Sequence, residues 1–240
     1  MTGAFLNALG ILLGALFGLA QRAPLSAGTQ DFFRRALGAA TVFFGLRLVW
    51  LHVHGTFWSC AKQLLIALLA VTLGNWIGRL LRLQTLSNRL GRHASRAMAS
   101  ASVGVARQSG PGFIACMVLF CAAPLGLIGA VTDGLSGDFY LLAVKAVMDG
   151  LAMTGFVKMF GWPVALSAFP VYAFLGAITL ACQYYAKPLL EAHALADSVH
   201  VASGLIACAV ALVILGVRKV ELANYLPALV VAPILVWLMG

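Results

Sequence analysis

Eight stretches of about 20 mostly apolar residues follow one another along this chain, divided by links that are mostly short. They are Ala4–Ala20, Leu37–Val53, Ala61–Leu81, Gly112–Val131, Phe139–Phe160, Pro163–Tyr185, Val201–Val217 and Leu222–Met239. Wound as an α-helix, a run of about 20 residues matches the roughly 30 Å hydrocarbon core of a bilayer. In lipid every backbone N–H and C=O must find its partner inside the segment, and a helix does this unaided. The fold class expected is therefore all-α: a polytopic transmembrane bundle of about eight spans, forming a single domain over residues 1–240.

Composition agrees. The chain is 62% apolar and 10% charged, against about 45–50% and about 25% in a soluble domain. That leaves too little polar surface to cover a soluble globule, and too much apolar surface for disorder. The net charge of +9 needs no nucleic acid partner, because no basic run is interleaved with aromatics and Lys and Arg collect on cytoplasmic loops of membrane proteins. The five cysteines (Cys60, Cys116, Cys121, Cys182, Cys208) form no CxxC and lie mostly inside apolar runs. They read as small packing residues.

Charge also orients the chain. No basic residue precedes the first apolar run, whereas Arg22, Arg34 and Arg35 follow it. With the N-terminus outside, the inner side receives those three with Arg79, Arg82, Arg89, Arg92, Arg96, Arg107, Lys158, Arg218 and Lys219, 12 of the 16 basic residues. The outer side keeps Lys62 and Lys187 with Asp133, Asp138, Glu191 and Asp197. The positive-inside rule then places both termini outside. Residues 82–108 form the sizeable polar loop, where Leu83, Leu86 and Leu90 alternate with arginines as in a basic amphipathic helix on the inner surface. The stretches Leu25–Gly38 and Leu189–Gly204 are both semi-polar and both lead into a glycine-bearing span. They suggest an inverted repeat of helices 1–3 and 6–8 around a central helix 4–5 pair, a transporter architecture.

The fifth span carries the residues most open to chemistry. Asp149 is the eleventh residue of its 22, near the bilayer midplane, and Lys145 lies one helical turn before it. A charge at that depth costs about 2.5–3.5 kcal/mol on insertion scales, so the two are expected to pair, either as a structural ion pair or as a site facing a polar cavity. In the fourth span, Pro124 withholds a donor from the carbonyl of Phe120, and Gly126 and Gly129 let the helix bend or unwind. Thr132 and Asp133 close that span near its outer mouth, and Asp138 is placed to cap the fifth. In the first span Gly10, Gly14 and Gly18 form a doubled GxxxG, and Asn7 lies near the face of Gly3, pointing into the bundle. The candidate binding residues are thus Asp149, Lys145, Asp133, Thr132, Asn7 and Pro124.

Weaker patterns are His52, His54 and Cys60, which lack a fixed fourth metal ligand, and the polar stripe Thr72, Asn75 and Arg79. No HExxH, GxSxG or P-loop occurs. No catalysis, metal or cofactor is expected. The partners expected are the lipid bilayer, a monovalent cation or proton, and a second copy of the chain, since the helix 1 stripe would also serve a homo-oligomer.

The opening Met-Thr-Gly-Ala-Phe-Leu-Asn7, the Asp133-Gly-Leu-Ser-Gly-Asp138 turn, Lys145-x-x-x-Asp149-Gly150 and Asn224-Tyr-Leu-Pro227 resemble the YqgA/YdfK-like bacterial inner-membrane proteins over essentially the whole chain. The resemblance implies a multi-pass inner-membrane protein of a family with no established functional residues, sometimes labelled a sodium channel or pump. Against that family's pattern, Arg79 and Arg82 stand where acidic residues are usual, and Thr132 and Leu175 where glutamine is usual. The arginines would weaken a cation-attracting inner mouth. The readings carried forward are an ion or small-solute transporter or channel and, alternatively, a non-transporting scaffold or envelope-stress component.

Overall fold

A computed structural model of the chain describes residues 1–21, 26–103 and 109–239. Arg22, Leu25, Arg107 and Gln108, used above to set the orientation, the repeat and the loop boundary, lie outside the described residues. Within them the chain is built of helices: α1 (Thr2–Ala20), α2 (Ala27–His52), α3 (Phe57–Leu80), α4 (Leu83–Val103), α5 (Ser109–Ala122), α6 (Pro124–Ser136) and α7 (Tyr140–Phe160). After a 3-10 turn at Trp162–Ser167 come α8 (Ala168–Ala181), a π-helical turn at Cys182–Ala186, α9 (Lys187–Ala192), α10 (Ala196–Ile214) and α11 (Ala228–Met239).

Six of these segments are long and apolar enough to cross a membrane: α1, α3, α7, the Trp162–Ala192 run, α10 and Leu222–Met239. The pair α5–α6, bent by 57° at Ala123, makes a seventh if counted as one span. The expected count of eight is therefore not reached by this measure. The segment left out is α2. Ser26 caps it by accepting from the Thr29 N–H at 3.2 Å, so the helix starts ten residues before the expected Leu37 and takes in Asp31, Arg34 and Arg35. At 26 residues it is still roughly 39 Å long. The boundary at Gly161 is a true break, because Gly161 adopts φ +89°, a region open to glycine at little cost.

Helix direction is fixed by glycine contacts. A Cβ on Gly3 would meet Leu142, one on Gly14 would stand 2.1 Å from the Gly150 carbonyl oxygen, and one on Gly18 would meet Val157. Both numbers of each pair rise together, so α1 and α7 run parallel at backbone contact. Gly38 approaches Leu215 and Gly45 approaches Gly204, so α2 and α10 are antiparallel. Gly74 approaches Ala228 and Gly78 approaches Asn224, so α3 and α11 are antiparallel too. With little hydrophobic drive between helices in lipid, such small-residue faces let dispersion hold the bundle.

Two large apolar clusters, with a small third of Ala70, Ala202 and Ala232, fill the interior of the described residues. One gathers Ile11, Phe120, Met153 and Phe160 where α1, α5, α7 and α8 meet. The other gathers Leu48, Ile128, Leu141 and Ile206 between α2, α6, α7 and α10. The outward surface carries Leu16, Trp50, Phe57, Trp76, Phe169 and Trp237, a coat suited to acyl chains rather than water. At one end, α4 is docked by a pair of bonds: the Gln84 N–H donates to Asn224 Oδ1 at 3.0 Å and the Ala223 N–H to Gln84 Oε1 at 3.1 Å.

Candidate functional site

Helix α7 is the centre of the bundle, and its Lys145 and Asp149 point inward. Lys145 is 1% exposed and Asp149 7%. One turn apart on one face, they form an ion pair through Lys145 Nζ and Asp149 Oδ2. The same Oδ2 accepts a 3.1 Å hydrogen bond from Asn7 Nδ2 of α1. The parallel register brings Asn7 there, since Gly10 admits the α7 backbone at Ala146 and Gly3 seats the Leu142 side chain. Asn7 is fully buried, and its Oδ1 has no hydrogen-bond partner.

Lys145 reaches its partner through the elbow between α5 and α6. Pro124 starts α6 and brings no N–H for the Phe120 carbonyl, which is why α5 ends there. The Lys145 stem lies against Gly126, where a Cβ would stand 2.6 Å from Cε. Its ammonium lies 5.8 Å from the centroid of the Phe120 ring. The lysine thus touches both arms of the broken helix, and its charge sits beside a face of negative π density. Neither Lys145 nor Asp149 lines the ≈510 Å³ cavity that opens beside α7 between Arg34, Met148 and Lys158.

Asn7, Lys145, Asp149 and the Pro124 elbow therefore come together. Asp133 and Thr132 are engaged elsewhere. Asp133 Oδ2 accepts from the Gly3 N–H at 3.1 Å and lies 3.4 Å from the Met1 nitrogen, so it caps the start of α1. The Thr132 hydroxyl faces the carbonyls of Gly129 at 3.1 Å and Asp138 at 3.2 Å and ties the α6–α7 turn. Asp138 accepts from the Tyr140 N–H at 3.3 Å and, through Oδ2, from Arg47 Nη1 of α2 at 2.6 Å.

Arg47 escaped the sequence reading, although an arginine inside an apolar run was the signal that should have found it. Its guanidinium also lies 4.6 Å from the centroid of the Tyr140 ring. Of His52, His54 and Cys60, the structure turns His52 toward α10, where its ring stacks on His200 at 4.0 Å. Cys60 donates locally to the Gly55 carbonyl, and the His54 side chain is exposed. On α3, Thr72 bonds the Leu69 carbonyl and Arg79 pairs with Glu221 at 3.7 Å.

The sequence model of DUF554, described as a protein of unknown function, matches residues 2–237. The chain belongs to the DUF554 family. It is 30% identical over 236 residues to YqgA of Escherichia coli, covering 96% of this chain and 94% of YqgA. It is 23% identical over 237 residues to the membrane protein YdfK of Bacillus subtilis, covering 99% and 96%. No solved structure matches it. This DUF554 chain is a multi-pass membrane protein. The motifs that carried the resemblance are its joints: Asp133 and Asp138 hold α1 and α2 to the α6–α7 turn, and Asn224 holds α4 and approaches α3.

Proposed function

We propose that this chain is an ion or small-solute transporter of a bacterial inner membrane, with Asp149, Lys145 and Asn7 as its site. The observation that carries this is the orphan Asn7 Oδ1, a buried acceptor beside a carboxylate that already shares a lysine. A buried acceptor without a donor costs about 1–3 kcal/mol. A monovalent cation or proton arriving at Asp149 would satisfy it. Lys145 is then the internal counter-charge, paired with Asp149 when the site is empty and displaced toward the elbow when it is filled. Intramembrane ionisable groups line such paths unusually often, and a sealed site suits a carrier better than an open pore. The reading assigns transport rather than catalysis to the chain.

Helix directions support eight crossings with both termini on one side. Antiparallel α3 and α11 need an even number of crossings between them. Helix α7, the Trp162–Ala192 run and α10 supply three, so the bent α5–α6 pair supplies the fourth. Parallel α1 and α7 need an odd number between them, which α2, α3 and the bent pair provide. The pairing of α2 with α10 and of α3 with α11 also suits an inverted repeat. Arg34, Arg79, the α4 arginines and Arg218 then share one side, and Asp133, Asp138 and Asp197 the other, which favours outside termini. Reporter fusions at Arg96 and after Met239 should report opposite compartments.

A second reading, a non-transporting scaffold with a structural pair, is favoured by the tight α1–α7 contact around Asp149. Proteoliposome flux across a panel of monovalent cations and protons separates the two. Transport predicts flux in the native chain that Asp149→Asn lowers at least tenfold. Absence of flux for every cation in folded protein gives the scaffold reading.

A further inference from the structure

Across the bundle from Lys145, at the end that carries Asp138, a second cluster is held by different helices. His52 closes α2, and Asp197 and His200 stand three residues apart in the first turns of α10. One ligand atom from each of the three lies within 4.8 Å of the other two. Among the described residues this is a grouping of His and carboxylate from two helices with the reach of a shared ion.

The tautomers are set by the backbone. His52 Nδ1 lies 2.8 Å from the Leu48 carbonyl, and His200 Nδ1 lies 2.8 Å from the Ala196 carbonyl. A carbonyl oxygen accepts and never donates, so each Nδ1 carries the proton and each neutral ring presents a bare Nε2 lone pair. An Nδ1–H bonded to a backbone carbonyl is also how metal-ligating histidines are oriented. His200 is 2% exposed, and its Nε2 has no partner. Two imidazoles and a carboxylate thus lie together, and a shared cation would satisfy all three.

We infer that His52, Asp197 and His200 form a binding site for a divalent transition-metal ion of the zinc class, joining the end of α2 to the start of α10. Two imidazoles and one carboxylate suit zinc, whereas magnesium and calcium take oxygen ligands. Tetrahedral ligation at about 2.0–2.1 Å needs donor atoms roughly 3.3 Å apart, so the stacked rings tilt together on loading. A cavity of ≈120 Å³ lined by His52, Asp197, Gln63 and Ser198 leaves room for a fourth ligand, a water among them. The sequence holds the signal in Asp197-x-x-His200, which puts both side chains on one face of a helix.

The test is equilibrium dialysis of zinc against the full chain, purified in detergent without a histidine tag. The native protein should bind one zinc per chain and no magnesium, and zinc should raise its melting temperature. His200→Gln and His52→Gln should weaken binding at least tenfold and remove the thermal shift. Asp197 is exposed, so Asp197→Asn should fold normally and still weaken binding about tenfold. His54→Gln should bind as the native chain does. No zinc bound by the native protein, or equal binding by native protein and Asp197→Asn with His200→Gln, overturns the site.

Discussion

Asn7 Nδ2 donates to Asp149 Oδ2 across 3.1 Å, although 142 residues separate them in the chain. The bond spans α1 and α7, two parallel helices that otherwise meet through Gly10, Gly14 and Gly150. The glycines set the distance between the helices, and the asparagine sets the polarity at the point where the charge is buried.

Asn7→Leu keeps the volume close and removes the bond, leaving Asp149 with Lys145. Interhelical hydrogen bonds in membranes contribute about 0.6 kcal/mol on average and up to about 2. Removing the unpaired Oδ1 along with the bond offsets that loss, so melting in detergent should stay near the native value. Asn7→Asp sets a second carboxylate beside Asp149 and should cost distinctly more. Equal melting for the two variants would mean that the polar contact does not matter to folding.

At Gly14 even one methyl has no room. Its Cβ would stand 2.1 Å from the Gly150 carbonyl oxygen, and both partners are backbone. Overpacking of this kind costs about 1–3 kcal/mol, so Gly14→Ala should lower the melting temperature and Gly14→Leu should lower it further. Gly155, on the same α7 but with nothing within 4 Å of its Cβ position, is the control. Gly155→Ala should be neutral or slightly stabilising, since alanine is the better helix former.

Arg47 and Asp138 are expected to be coupled. Arg47 bonds Asp138 Oδ2 at 2.6 Å and stacks on Tyr140 at 4.6 Å. A double-mutant cycle with Arg47→Met and Asp138→Asn should give a coupling of about 0.5–3 kcal/mol. Arg47→Lys should not rescue, because an ammonium lacks the planar stack. Additive single losses would show that the pair is incidental to holding α2 against α7.

Much of this was legible in the sequence, because membrane insertion makes length and hydropathy nearly decisive. The Gly10-x-x-x-Gly14 stripe, the break at Pro124 and the proximity of Lys145 to Asp149 are local patterns, and a helix turns local spacing into shared faces. What could not be read was partnership over distance. Nothing local distinguishes Asp133 as a helix cap from Asp133 as a mouth residue; its partner, the Gly3 N–H, is 130 residues away. The length of α2 is not legible from hydropathy, which begins at Leu37, whereas Ser26 starts the helix by capping it. Along the chain His52 neighbours His54 and Cys60, whereas in the fold it meets His200, on a helix that the register of Gly45 against Gly204 brings alongside.

The sharpest outcome concerns Lys145 with Asp149. Removing one partner strands a charge: Asp149→Asn leaves the Lys145 ammonium buried against Phe120 and Gly126 with its carboxylate gone. Breaking a buried pair in this way costs about 3–5 kcal/mol, whereas replacing both members by apolar residues is often neutral or stabilising. Lys145→Met with Asp149→Leu strands only the neutral Asn7 amide and should melt near the native temperature, while Asp149→Asn alone melts well below it. Stability cannot by itself separate a site from a strut; flux can. In proteoliposomes the double variant should be folded and inactive, because no acidic group remains to hold the cation or proton. A double variant that keeps full flux would remove Asp149 from the transport path and return the pair to a purely structural role.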